Sequence, residues 1–95
     1  MVSYKKITVD EAEETALRVF SLIAADDERL TLFLNTTGLD PQTIRKAAAA
    51  PGFYAAVLDY VASDEPLLLA VAKELNTKPE RIMEARWTLS PSEFE

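Results

Sequence analysis

Between Pro51 and Ala72 the chain reads PGFYAAVLDYVASDEPLLLAVA, and only Asp59, Asp64 and Glu65 in that stretch carry charge. A break at Ser63 and Asp64 divides it into two segments that are apolar around their whole circumference at helical spacing. A helix of that kind is buried on most sides, so the rest of the chain must gather around it. The expectation is a central helical hairpin holding Phe53, Val57, Val61, Leu68 and Val71 in the core. Its aliphatic run Pro66 to Ala72 is far short of the roughly 20 residues that a membrane span requires.

The remaining sequence supplies amphipathic partners for that hairpin. Two glycines and five prolines in 95 residues are too few for the turns of a sandwich or barrel, while leucine and alanine recur at helical spacing. Thr8 and Glu11 have the spacing of a capping box. The helix they open is expected to run to about Ala25, with Val9, Ala12, Ala16, Val19, Phe20 and Ile23 inward and Glu13, Glu14 and Arg18 outward. Asp26 or Asp27 caps the next helix, whose inward residues are Leu30, Phe33 and Leu34 and which ends near Gly38 in a left-handed turn. In LDPQTIRKAAAA, Asp40 reads as a cap, Pro41 as the first helical position, and Ile44 and Ala47 as a buried pair. Pro51 then forces a break.

Sliding the chain by 38 residues lays Glu14–Ala49 over Gly52–Trp87 without a gap, with seven identities: Val19/Val57, Ala24/Ala62, Asp26/Asp64, Leu30/Leu68, Pro41/Pro79, Ile44/Ile82 and Ala47/Ala85. Gly38 falls on Asn76, another residue suited to a left-handed turn. Two readings stay open here: a true repeat of three helices, or convergence of cap and turn chemistry that any short-helix protein needs. The fold expected from these features is all-α, a compact single-domain bundle of about six short helices, with two similar three-helix halves as the repeat reading. The domain is expected to span residues 1–95, with an ordered core over about 8–88 and loosely docked or flexible ends at 1–7 and 89–95.

Composition closes several chemistries. With no cysteine and no histidine, thiol and imidazole catalysis and the commonest zinc ligands are absent. The carboxylates at Asp26–Glu28 and at Asp64 and Glu65 lack the spacing of a calcium loop and read as helix caps. No serine sits in a nucleophile elbow, and two isolated glycines cannot form a phosphate cradle. The expectation is therefore no enzyme, no catalytic residue, no cofactor, no metal and no evident small-molecule substrate. The opening MVSYKKITVDEAEE has no apolar run behind its lysines, which points to a cytoplasmic location.

One segment carries the punctuation of a helix-turn-helix: Ala72 as the small residue, Asn76 as the turn and Ile82 as the aliphatic. Its charges do not fit a DNA reader. Lys73, Lys78, Arg81 and Arg86 alternate with Glu74, Glu80 and Glu84, and the net charge of −6 repels phosphate at long range. Nucleic acid is thus not the expected partner, although an atypical helix-turn-helix using Lys78, Arg81 and Arg86 is kept as the alternative.

The run AADDERLTLFLNTTGLDPQTIRKAAAAPGFYAAVLDYVASDEPLLLAVAKELNTKPERI resembles a family of small bacterial helical proteins known as domain of unknown function 3572. Its most telling words are GLDPQTIRKAAAAPGFYAAVLDYVASDEPLLLA, and the resemblance spans roughly Thr8 to Trp87. It implies a helical fold and a bacterial cytoplasmic setting, and carries no activity, cofactor or site residue. The tail SPSEFE is the chief departure from it.

The reading that remains is a non-catalytic protein–protein interaction module whose partner is another protein or a second copy of the chain. Part of the hairpin's apolar surplus, for example Tyr54, Leu58, Leu67 or Leu69, is the expected contact surface, with Asp59 beside it; Trp87 is expected to cover the end of the core, with a role as an aromatic anchor of that surface as the alternative. An isolated buried carboxylate is costly, so Asp59 is expected at a rim, meeting Arg18, Lys46 or Lys73.

Overall fold

A computed structural model describes residues 7–40, 42, 46 and 52–89. Among them the chain forms five helices: α1 (Val9–Ala24), α2 (Asp27–Thr37), α3 (Phe53–Ala62), α4 (Glu65–Glu74) and α5 (Pro79–Leu89). No described residue is in a strand. The proline-started helix expected after Asp40 falls largely outside the described residues, as do Pro41, Ile44 and Ala47. At its start the Gln42 amide donates to Asp40 Oδ1 at 2.8 Å, the contact expected of a cap.

Each described helix starts and stops where local chemistry tells it to. Thr8 Oγ1 accepts from the Glu11 amide at 3.1 Å while Glu11 Oε1 accepts from the Thr8 amide at 3.0 Å, closing the capping box of α1. Asp26, rather than Asp27, caps α2, its Oδ1 accepting from the amides of Glu28 and Arg29 at 2.9 and 3.1 Å. Asp64 does the same for α4 by accepting from the Leu67 amide at 3.2 Å. Gly38 ends α2 at φ 76°, in the left-handed region that favours a residue without Cβ. After α4, Asn76 adopts φ 56°, with its amide donating to Lys73 O and that of Thr77 to Ala72 O, the double closure of a Schellman motif.

Helices α1, α3 and α5 form the centre, with α2 laid against α1 and α3, and α4 against α3 and α5. The core joins Ala12, Ala16, Val19 and Ile23 of α1 to Phe33 of α2, Phe53, Val57, Leu58 and Val61 of α3, Leu68, Val71 and Ala72 of α4, and Ile82 and Ala85 of α5. Edge-to-face ring contacts tie the first three helices together: Phe20 meets Phe33 at 5.8 Å and Phe53 at 5.1 Å, and Phe33 meets Tyr60 at 5.1 Å. The hairpin residues expected in the core are there, but its two arms differ: α3 is central, whereas α4 lies to one side with Leu69 half exposed.

Two expectations at the N-terminal end are corrected. Val9 is 53% exposed, not part of the α1 stripe, while Ile7, assigned to a loose end, is buried at 9%. The physical reason is the capping box, which turns the chain at Thr8 and aims Ile7 rather than Val9 at the core, as a hydrophobic staple with Ala12 would. Thr88 locks that entry: its hydroxyl donates to Ile7 O and accepts from the Ile7 amide, both at 3.1 Å and both buried. Leu89, also assigned to a loose end, completes α5 and packs against the core. The tail from Ser90 onward lies outside the described residues.

Candidate functional site

The solvent-facing stripe of α3 consists of Ala56, Asp59, Tyr60 and Ser63, spaced three and four residues apart as one helical face requires. Thr36 and Thr37 from the end of α2 stand on one side of it and Met83 and Arg86 of α5 on the other, enclosing a depression of about 600 Å³. Two further depressions continue from it. One passes Tyr60 and Ser63 to Leu32, Glu65 and Pro66. The other passes Ala62 and Met83 to Leu69 and Pro79. Through these shared lining residues the three depressions lie side by side along α3 toward the α3–α4 corner, together a trough whose walls hold two large apolar side chains in water, Leu32 at 55% in one depression and Leu69 at 50% in another.

Asp59 and Arg86 bridge the middle of the trough, Arg86 Nε donating to Asp59 Oδ1 at 2.7 Å. Asp59 therefore sits at a rim, as expected, but its partner is Arg86 and not Arg18, Lys46 or Lys73. The exposed carboxylates Asp64, Glu65 and Glu80 also border the trough, and none has a Lys or Arg within salt-bridge distance among the described residues. Beside them, burial and then the negative charge of Asp64 push the Tyr60 hydroxyl above its usual value, so it stays protonated and able to donate.

Of the residues expected from sequence to form the contact surface, Asp59 and Leu69 line the trough. Leu58 is fully buried and belongs to the core, so it offers no contact surface. Tyr54 is half-buried with its ring against Phe53 at 5.8 Å, and Leu67 packs partly buried against the core. Trp87 is half-buried on α5. Leu32, Thr36, Tyr60 and Met83 carried no sequence signal toward a site, because they come from separate helices and meet only through the packing of α2 and α5 against α3.

The helix-turn-helix corner exists as geometry. Ala72 and Ile82 are buried and Asn76 supplies the left-handed turn between α4 and α5. Yet α5 is packed between α1 and α3. Two of its cations meet acids of the same chain, Arg86 at Asp59 and Arg81 at Glu11 Oε2, 3.8 Å away. Among the described residues no group of three or more acids is placed to hold a metal ion, and no helix is long and apolar enough to cross a membrane.

Fold and site together define a small all-helical domain built on a central three-helix packing with an open trough along one helix. A family model described as "Protein of unknown function (DUF3572)" matches residues 9–92, and the chain belongs to that family. No curated protein and no solved structure matches it.

Proposed function

We propose that this protein is a non-catalytic interaction module that receives a segment of another protein in the trough over α3. One observation carries the reading: adjoining depressions with Ala56, Tyr60, Ala62 and Met83 along them keep Leu32 and Leu69 half exposed near the α3–α4 corner. Apolar side chains gathered in a concave, polar-rimmed surface gain free energy when a partner excludes water from them. With neither cysteine nor histidine in the chain, thiol and imidazole chemistry are not available to it. The module's setting on this reading is the bacterial cytoplasm, as the family resemblance implies.

The test is photo-crosslinking in cells. A crosslinking amino acid placed at Leu69 should give adducts of discrete mass, while the same group at the exposed Glu13 on α1 should not. Equal adduct patterns at both positions, or none at Leu69, would remove the trough from consideration. The DNA-binding alternative has the Ala72–Asn76–Ile82 corner in its favour, and a titration with mixed duplex DNA at low salt tests it. Affinity in the micromolar range that weakens steeply with salt would restore it.

A further inference from the structure

We infer that the trough's occupant is a short amphipathic helix with lysine or arginine along its flanks. This inference rests on the interaction reading above and names the partner's chemistry.

Shape argues for a helix. No described residue forms a strand, so among the described residues no sheet edge offers backbone hydrogen bonds to an extended peptide. Instead the α3 stripe lies between α2 on one side and α5 on the other, a lane flanked by two helices among the described residues. Ala56 and Ser63, the small residues of that stripe, let a helix axis come close. Ten residues of α3 extend for about 15 Å, so the matching occupant is about three turns long. Its apolar side chains, spaced three and four residues apart, would reach Tyr60 and Met83 and end on Leu32 and Leu69 at the corner.

Charge argues for the basic flank. Among the described residues, five charged ones border the trough: Asp59, Asp64, Glu65, Glu80 and Arg86. Arg86 is already neutralised by Asp59 at 2.7 Å, which leaves Asp64, Glu65 and Glu80 as uncompensated negative charge around the open end. The whole chain, at −6, adds a field of the same sign. An acidic or phosphorylated segment would meet repulsion at each of these positions, and a second copy of the chain would bring its own negative charge to the contact. A cationic flank is attracted before contact and held in register after it.

Fluorescence anisotropy with two labelled synthetic helices tests this. Both peptides carry the same leucine face over about eleven residues, roughly three turns; one is flanked by lysines and the other by glutamates. The lysine peptide should bind about tenfold tighter or more, with the difference shrinking as salt rises. Leu69→Asp should abolish binding, and the double variant Glu65→Lys, Glu80→Lys should bring the two affinities together, with thermal unfolding confirming that both variants fold. Equal affinities for the two peptides, no binding of either, or binding indifferent to Leu69→Asp would overturn the inference. Sedimentation that shows self-association lost in Leu69→Asp would overturn it in favour of a second copy. Crosslinked adducts at Leu69 whose captured segment is neutral or acidic would overturn the basic helix while leaving the interaction reading intact.

Discussion

Thr88 does more for this molecule than its place near the end of α5 suggests. Its hydroxyl both donates to and accepts from the backbone of Ile7, a contact that spans 81 positions of sequence and is shielded from water. Replacing it with valine keeps the volume but strands a buried amide and a buried carbonyl. Thr88→Val is therefore expected to destabilise the fold by about 1–3 kcal/mol in urea unfolding, while Thr88→Ser keeps the hydroxyl and loses only a fraction of that. Asp59 is the opposite case. Its pair with Arg86 is short, but the two side chains are 60% and 38% exposed, so water screens the attraction and solvates whichever partner is left. Asp59→Asn should shift the unfolding free energy by less than about 1 kcal/mol in the same titration. A larger loss would mean that the trough is far less open to water than its lining indicates.

At the scale of elements, the ends of the helices set where each one starts and how the next departs. Asp26 accepts from two amides and Asp64 from one, and each of Asp26→Ala and Asp64→Ala is expected to cost about 0.5–2 kcal/mol by thermal denaturation, with Asp26 the costlier. At the other ends, Gly38 and Asn76 hold left-handed backbone. A Cβ at Gly38 would meet nothing within 4 Å, so Gly38→Ala isolates the backbone strain, about 1–2 kcal/mol. Asn76→Gly should be nearly neutral by the same measurement. These boundaries were legible in sequence because caps and turns are local: Thr8, Asp26, Gly38, Asp64 and Asn76 need only their neighbours within a few residues. The 38-residue offset gains content here too. Asp26 and Asp64 both cap helices, Gly38 and Asn76 both turn left-handed, and Val19 and Val57 are both buried. Val9 was misplaced because periodicity gives a face and not the depth at which a helix enters the core. Leu69 shows the same limit from the other side, since an all-apolar segment does not say which of its faces lacks a neighbour.

The whole molecule is tied across its helices by polar contacts that sequence spacing does not reveal. Glu11 caps α1 and reaches Arg81 of α5, while Glu74 of α4 takes both terminal nitrogens of Arg29 in α2, at 2.7 and 3.3 Å. These pairs are 45 and 70 positions apart in the chain, so no window of sequence contains them. The trough is illegible for the same reason, because its walls come from α2 and α5 and meet only once both have docked on α3. The long-range ties have a consequence in acid. Hydrogen bonds from the Thr8 backbone and side chain, and then the Arg81 charge, hold the Glu11 carboxyl below its usual value of 4.5. The Arg29 guanidinium does the same for Glu74. A carboxylate whose folded value is depressed binds its proton more readily in the unfolded chain. It therefore contributes stability that is fully present above 4.5 and is lost as pH falls through the lowered folded value. The melting temperature is expected to be flat near neutrality and to fall below the ordinary glutamate range, as the α1–α5 and α2–α4 ties release together. Glu11→Gln and Glu74→Gln should each flatten the acid limb of the melting curve while lowering its neutral plateau only slightly, since both carboxylates are solvent-exposed and their pairs are screened. If the acid limb keeps its full slope in the double variant, the loss of stability in acid does not originate in the inter-helix ties.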